Sequence, residues 1–271
     1  MLINKIDKPL DIIVLAGQSN AEGYGLGPCS APFVPSLSIL SMKDVDNYGY
    51  VVDEKTQGTF NIKMPRTYLI NIAEERQNTS GRIGCFALRF AEKYAATYLK
   101  EGRGVLIIHG AVGATGFAKN NWGVGSVLYS RLCRMCSLAL GMNSENRLVA
   151  VLWHQGEQDA IFRPKLTAEE REQTHYTELS AMLADFRLQY GTVPFIMGDF
   201  TEEWKAICEN SEVIVSAMQR IVSDYKAVGL VNSSGLFTNN QQLGNGDKFH
   251  FSRNSLTLLG ERYFDVFKLL K

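Results

Sequence analysis

The sequence predicts an α/β fold in which helices cover both faces of a five-stranded parallel sheet. Five short segments are apolar throughout, as strands are when both faces of their sheet are buried. Segments with apolar residues at three- and four-residue steps alternate with them, a spacing typical of amphipathic helices. No internal repeat or low-complexity linker divides the 271 residues, so we expect a single domain over residues 1–271.

Each strand is recognised as a short run of β-branched and other apolar residues. The first run, Asp11-Ile12-Ile13-Val14-Leu15-Ala16, is closed by Gly17 and opens the fold. The predicted strands span residues 11–16, 104–108, 148–153, 193–197 and 228–231.

The predicted helices occupy the segments between and after the strands. Ser252 is expected to begin the last one as its N-cap, because a serine hydroxyl can accept a hydrogen bond from an unpaired backbone N–H of the first turn. The apolar stripe of that helix consists of Leu256, Leu259, Tyr263, Phe264, Phe267 and Leu270. The other helices are predicted at about 84–100, 126–140, 167–190 and 213–227.

Residues 24–82 interrupt the alternation of strands and helices. The segment is rich in Gly, Pro, Asn and Ser and shows little sustained periodicity. We therefore predict a long loop excursion that carries minor hairpins, and loops of this length often shape a binding site.

Composition and charge exclude several classes of protein. Lys and Arg total 28 and so do Asp and Glu, so no basic excess favours nucleic acid or an anionic membrane surface. The longest apolar runs are far shorter than the ~20 residues of a membrane helix. The N-terminus has no signal-peptide pattern, so we expect a cytoplasmic protein. The five cysteines form no disulfide framework and are expected to be buried free thiols.

Three polar segments occupy the places where a parallel sheet binds ligands, beyond the carboxyl ends of its strands. Gly17-Gln18-Ser19-Asn20 follows the first strand, and His154-Gln155-Gly156-Glu157-Gln158-Asp159 follows the third. Gly246-Asp247-Lys248-Phe249-His250 precedes the last helix. These three segments contain the candidate functional residues.

Ser19, His250 and Asp247 have the chemistry of a catalytic triad. A serine hydroxyl becomes a nucleophile when an imidazole removes its proton, and that imidazole needs an acceptor on its other nitrogen. An Asp three residues before a His can place its carboxylate against the ring. Two alternatives stay open: Ser19 caps the helix that follows it, and Asp247 and His250 are an unrelated loop Asp and surface His.

The three segments together resemble the SGNH (GDSL-like) hydrolases, in the carbohydrate esterase branch that contains acetylxylan esterases and sialate O-acetylesterases. Gly17-Gln18-Ser19-Asn20, Trp153-His154-Gln155-Gly156-Glu157 and Asp247-x-x-His250 are similar to three of its sequence blocks, in the same order. The resemblance implies a flavodoxin-like three-layer α/β/α sandwich. It also implies Ser19 as nucleophile, His250 as general base and then acid, and Asp247 as the group that orients His250.

The resemblance further implies an oxyanion hole, which the chemistry also requires because the tetrahedral intermediate carries a negative charge. The expected donors are the backbone N–H groups of Ser19 and Gly84 and the side-chain amide of Gln155. For Gly84 the alternative is a simple loop-to-helix junction. Many SGNH enzymes use an asparagine side chain where this chain has Gln155.

Gln18, Trp122 and Glu157 are the expected substrate-binding residues. An exposed Trp122 suits the apolar face of a sugar, and its alternative is a core Trp that anchors its loop. Glu157 is also expected to bond backbone amides of its own loop. A metal site formed by His154, Glu157, Asp159 and His250 is a rival interpretation, although no pair of histidines at helical spacing supports it. His175 lies in a charged helix and is expected to be solvated.

These residues predict a carbohydrate O-acetylesterase that acts through an acetyl-serine intermediate. The expected partner is an acetylated sugar, with either a sialic acid O-acetyl or a xylan-type acetyl group. No metal and no organic cofactor is required. The alternative is a catalytically inactive glycan-binding module on the same fold. The sequence leaves the oligomeric state open.

Overall fold

The computed structural model of the chain describes residues 2–3, 8–44, 68–72, 85–163 and 165–271. Within them a single eight-stranded sheet has the strand order β1-β4-β3-β5-β2-β6-β7-β8. The strands are β1 (Leu2–Ile3), β2 (Leu10–Gly17), β3 (Ile39–Asp44), β4 (Tyr68–Ile72), β5 (Gly104–His109), β6 (Arg147–His154), β7 (Phe195–Gly198) and β8 (Val228–Val231).

The parallel part of the sheet has six strands, so the prediction of five was one too low. The additional strand is β3, which pairs in parallel with β5 from Ile39 opposite Val105 to Met42 opposite Ile108. β4 and β1 extend this edge with antiparallel pairing. β3 lies in the predicted excursion, where its short and partly polar sequence carries no strong local strand signal. Residues 45–67 and 73–82 of that excursion lie outside the described residues.

The predicted long helices are present, with ends that differ by a few residues. Ser252 is the N-cap of the last helix, as predicted, and its hydroxyl accepts from the Ser255 N–H. The short helices next to the site were not predicted. The helices are α1 (Ser19–Glu22), α2 (Phe86–Tyr98), α3 (Val127–Gly141), α4 (Glu157–Ile161), α5 (Ala168–Tyr190), α6 (Glu202–Lys205), α7 (Ser211–Asp224), α8 (Asn239–Leu243) and α9 (Arg253–Leu270).

Helices pack on both faces of the sheet, which confirms the predicted three layers. Alternate residues of β2 point to opposite faces. Ile12 and Val14 belong to the core that includes side chains of α3, α5 and α7. Ile13 and Leu15 belong to the core that includes side chains of α2 and α9. β2 is therefore buried on both sides, and only its ends reach polar surroundings.

The helices and cysteines add three further observations. None of the described helices is both long and apolar enough to cross a membrane. The five cysteines are free thiols as predicted, but only Cys136 is buried and the other four are half-buried, so the expected burial was wrong for those four. His175 is buried at 1% exposure, so the prediction of a solvated side chain was wrong. α5 turns this position toward the protein interior, where Phe117 packs edge-on against the ring.

A buried charged group anchors the amino end of β2, the end of the strand opposite to Ser19. Asp11 is fully buried and accepts hydrogen bonds from Arg103, Arg147 and Tyr94 at 2.7 to 3.0 Å. Burial by itself raises the pKa of Asp11, but the hydrogen bonds from Arg147, Tyr94 and Arg103 outweigh it and lower the pKa. The carboxylate is thus ionised and paired in the folded chain.

Replacing Asp11 by asparagine should destabilise the fold. We expect D11N to lower the free energy of unfolding at pH 7 by about 3 kcal/mol in urea denaturation, because two arginines lose their counter-charge. The folded pKa is depressed, so this stabilisation is complete above the unfolded pKa of about 3.9 and is lost as the pH falls through the folded value. The difference between wild type and D11N should therefore shrink below about pH 4.

Asp265→Asn is the matched control, because Asp265 pairs with Lys268 at the surface. The Asp265 side chain is 64% exposed and the Lys268 side chain is 46% exposed. It should change the free energy of unfolding by no more than about 0.5 kcal/mol. Equal losses in the two variants, or a D11N deficit that persists in acid, would contradict the assignment.

Candidate active site

The first feature of the site is the close approach of β2 and β6 at their carboxyl ends. Gly17 has a φ of +122°, and a Cβ at this position would lie 2.1 Å from the carbonyl oxygen of His154. Only glycine allows this backbone approach. Directly after it, the Gln18 N–H donates to the same His154 oxygen at 2.8 Å. Ser19 follows as the first residue of α1 and is therefore held beside the end of β6.

Asn20 joins all three sequence segments that were predicted to meet here. Its side-chain nitrogen donates to Glu157 Oε1 at 3.0 Å and to the Phe249 carbonyl oxygen at 3.1 Å. Its side-chain oxygen accepts from the Phe251 N–H at 3.1 Å. The Phe249 oxygen can only accept and the Phe251 N–H can only donate, so they determine which end of the amide is which. Asn20 is 1% exposed, so these bonds are shielded from water.

Asp247 and His250 form the pair that their spacing predicted. Nδ1 of the His250 ring lies 2.9 Å from Oδ2 and 3.0 Å from Oδ1 of Asp247. Asn239 adds a second side-chain donor to the carboxylate, with its nitrogen 2.9 Å from Oδ2. Burial raises the pKa of Asp247, but the hydrogen bonds from His250 and Asn239 outweigh it and lower the pKa to about 2. Asp247 is thus ionised and Nε2 is the ring nitrogen of His250 that remains for chemistry.

Ser19 and His250 line the same cavity, which has a volume of about 240 Å³. The Tyr24 ring packs against the His250 ring, with 4.9 Å between their centroids. Ser19 is 7% exposed, so only a small part of it faces the cavity. The lining residues are Gln18, Ser19, Tyr24, Ala114, Glu157, Gln158, Phe249 and His250.

Glu157 is a buried carboxyl group in the wall of the cavity. It is 3% exposed, and its Oε2 has no hydrogen-bond partner within the described part of the chain. Burial raises the pKa of Glu157, and the hydrogen bond from Asn20 opposes the rise only in part. The carboxyl group therefore takes up a proton more readily than an exposed glutamate.

Gln18 and Gln155, both predicted site residues, differ in their access to the cavity. Gln18 lines the cavity, whereas Gln155 is fully buried behind it and is absent from its wall. The Gln155 amide nitrogen donates to Asp159 Oδ2 at 2.8 Å. Gly84, the other donor expected outside the Ser19 segment, lies outside the described residues.

Trp122 lies in the core and does not reach the cavity. It is 3% exposed, its indole N–H donates to the Thr115 hydroxyl at 2.9 Å, and its ring packs edge-on against Trp153. This is the alternative stated above, a core Trp that anchors its loop. Trp122 therefore offers no exposed platform for a sugar. The apolar side chains of the core cover its indole ring.

The rival metal interpretation finds no support in the arrangement of its four residues. His154 is buried with Tyr263 as a neighbour at 3.1 Å, and burial lowers its pKa to about 3. Asp159 faces Gln155 and the Ala118 N–H instead of the cavity. Among the residues that the structure describes, no group of three His, Cys, Asp or Glu side chains is placed to hold a metal ion.

Sequence reasoning did not assign roles to Asn20, Asn239, Tyr24 or Phe249. Asn20 is adjacent to Ser19 in the first polar segment, and this position is the feature of the sequence that could have indicated its role. Asn239 carries no such signal, because it binds Asp247, the Tyr24 carbonyl and the Leu26 N–H through contacts that only the folded chain creates.

Asn20→Leu tests whether the amide holds the site together. We expect a loss of about 2–4 kcal/mol in the free energy of unfolding, because the change leaves a buried carboxyl oxygen, a carbonyl and an N–H without partners. Urea denaturation followed by circular dichroism measures it. Asn254→Leu is the control, since Asn254 accepts two hydrogen bonds from Ser30 at an exposed position. A similar cost at both positions would refute the role given to Asn20.

Comparisons with known proteins agree with this architecture. The family model described as carbohydrate esterase, sialic acid-specific acetylesterase, matches residues 9–268. The crystal structure of NanS is similar with a TM-score of 0.71 at 18% identity, over 98% of each chain. A protein from Arabidopsis thaliana gives a TM-score of 0.65 at 17% identity, over 96% of this chain and 98% of its own.

A carbohydrate acetylesterase from Xanthomonas citri gives a TM-score of 0.60 at 13% identity, over 96% of this chain and 56% of its own. At these identities the solved structures show a shared fold. A comparison with curated protein sequences finds no match. The family match and the shared fold together confirm the family resemblance that the three sequence segments indicated.

Proposed function

The chain belongs to the carbohydrate esterases of the sialic acid-specific acetylesterase family, and from this premise we propose that Ser19, His250 and Asp247 remove acetyl groups from sugars. One observation carries the proposal. Ser19 and His250 line one cavity while Asp247 bonds the ring nitrogen of His250 that faces away from the reaction. This is the division of roles that a serine nucleophile requires.

The proposed reaction has two steps. The Ser19 hydroxyl oxygen attacks the acetyl carbonyl carbon, and Nε2 of His250 takes the hydroxyl proton. The tetrahedral intermediate collapses, the C–O bond to the sugar breaks, and His250 returns the proton to the departing sugar oxygen. Water then attacks the acetyl-serine while Nε2 of His250 takes a water proton, the bond between Ser19 Oγ and the acetyl carbon breaks, His250 returns the proton to Oγ, and acetate leaves. Asp247 stabilises the imidazolium in both steps, which its low pKa permits because the carboxylate stays ionised.

Ser19→Ala and Asp247→Asn test this mechanism on p-nitrophenyl acetate. We expect S19A to lower kcat by about 10⁴-fold or more, because no other hydroxyl replaces the nucleophile. We expect D247N to lower kcat by about 10³- to 10⁴-fold, because an amide neither stabilises the imidazolium nor enforces the tautomer. Circular dichroism checks that both variants are folded.

Asp265→Asn is the matched control for the loss of one carboxylate at an exposed place. Equal rates for S19A and wild type would remove Ser19 as nucleophile. A wild-type chain that binds acetylated sugars without releasing acetate would instead support the inactive glycan-binding module.

For the substrate we propose an O-acetylated sialic acid, which is anionic, in preference to acetylated xylan, which is neutral. The residues that line the cavity in the described part of the chain include no lysine or arginine. Lys119 lies next to the lining, with Nζ 3.1 Å from the carbonyl oxygen of Ala114. An ammonium has three donors, so Lys119 can bind a carboxylate and keep this hydrogen bond.

Lys119 and Ala114 both belong to the loop between β5 and α3. Ala114 has a φ of +59°, a left-handed conformation that costs a non-glycine residue about 1 kcal/mol or more. Lys119 also lies over the Phe162 ring, with Nζ 4.1 Å from its centroid. The two contacts keep the ammonium beside Ala114, which lines the cavity, and this placement supports an anionic substrate.

Lys119→Gln tests the choice of substrate. We expect KM for 9-O-acetylated sialic acid to rise about tenfold, equivalent to about 1.4 kcal/mol, because one charge pair is lost. KM for an acetylated xylo-oligosaccharide and for p-nitrophenyl acetate should stay the same, since neither carries a carboxylate. Lys268→Gln on α9 is the control. An equal change for charged and neutral substrates, or faster turnover of the xylo-oligosaccharide by wild type, would reject the sialic acid assignment.

A further inference from the structure

We infer that the side-chain amide of Gln18 donates to the oxyanion of the tetrahedral intermediate, and that Gln155 is a positioning residue that acts through Gln18. The inference rests on the proposed esterase function. It reverses the roles expected from the sequence, in which the family resemblance implies Gln155 in the oxyanion hole and Gln18 is an expected substrate-binding residue.

The orientation of the Gln155 amide is determined by groups that can only accept. Its Nε2 lies 2.8 Å from Asp159 Oδ2 and 3.5 Å from the Thr115 carbonyl oxygen. Burial raises the pKa of Asp159, but the nearby His175 ring, with Nδ1 3.4 Å from Oδ2, and hydrogen bonds from the Ala118 N–H and Gln155 outweigh it and lower the pKa, so this acceptor is a carboxylate. The donors of Gln155 are therefore directed into the protein, and the side chain is absent from the cavity wall.

The orientation of the Gln18 amide follows from a group that can only donate. Its Oε1 lies 3.4 Å from the backbone N–H of Gln158 and 3.5 Å from Nε2 of Gln155. Both neighbours supply protons, so the oxygen end of Gln18 is held by them. The Nε2 end of the same amide is left for a ligand, and Gln18 lines the cavity together with Ser19 and His250.

The polar cluster behind Gln18 is tightly packed around Gly116. A Cβ at Gly116 would lie 2.9 Å from Asp159 Oδ1 and 3.1 Å from Nε2 of Gln155. Asp159 is fixed further by the Ala118 N–H at 2.6 Å. The carboxylate therefore holds Gln155, and Gln155 in turn holds the oxygen end of Gln18, so the donor of Gln18 is oriented before substrate binds.

The chemical step needs such a donor on the substrate oxygen. Attack by Ser19 turns the carbonyl double bond into a single bond and leaves a full negative charge on that oxygen. The N–H of Gln18 donates a hydrogen bond to this oxygen and transfers no proton. A fixed donor of this kind is typically worth about 10²- to 10³-fold in kcat.

A double-mutant cycle on p-nitrophenyl acetate hydrolysis tests the inference, with methionine as an apolar replacement of similar length. We expect Gln18→Met to lower kcat by about 10²- to 10³-fold and to leave KM within about threefold, because the interaction forms only in the transition state. Gln155→Met should lower kcat by about tenfold, and the double variant should be no slower than Gln18→Met alone. Gln219→Met, at an exposed position of α7, is the control.

Asp159→Asn gives a second route if Gln155→Met fails to fold, because it loosens Gln155 without removing it. It should lower kcat in the wild-type background and leave kcat unchanged in the Gln18→Met background. A larger loss for Gln155→Met than for Gln18→Met, multiplicative losses in the double variant, or full activity of Gln18→Met would overturn the inference. Activity that survives Ser19→Ala would instead overturn the proposed function, so the two failures are distinguishable.

Discussion

The active site depends on the buried amide of Asn20. Its hydrogen bonds to Glu157 and Phe249 join residues that lie 137 and 229 positions away in the sequence. An unpaired polar group in such a buried place costs about 1–3 kcal/mol, so any other arrangement of the three segments is penalised. Ser19 precedes Asn20, and His250 lies between two of the residues that Asn20 binds. Ser19 and His250, the proposed nucleophile and base, thus lie on segments that one side chain joins.

The carboxyl groups near the cavity differ because their surroundings differ. Asp247 has two side-chain donors and a pKa of about 2, so it stays ionised beside His250. Glu157 is buried with a single side-chain donor, and burial raises its pKa. Asp159 is also buried, but its several donors outweigh burial and lower its pKa. Burial raises the pKa of all three groups, and the donors around Asp247 and Asp159 outweigh it whereas those around Glu157 do not.

The two ends of β2 have different tasks. At the amino end Asp11 is surrounded by cations and a tyrosine hydroxyl in an arrangement that stabilises the fold. At the carboxyl end Gly17 permits a backbone approach that presents Ser19 to the cavity. The apolar residues between them are buried on both faces, so the buried ion pair and the proposed catalytic serine lie at opposite ends of one strand.

The sequence by itself determined the features that rest on local pattern: the five apolar strands, the Ser252 cap, and the Asp247 and His250 pair three residues apart. Only the tertiary structure decided the features that rest on distant contacts. β3 is a strand because β5 pairs with it, and Trp122 and His175 are buried because remote side chains cover them. Gln18 and Gln155 are both polar residues after strands, and their different access to the cavity follows from which distant donors and acceptors fold against each amide. Such contacts leave no periodic trace in the chain, because they are set by packing across the sheet and not by neighbouring residues.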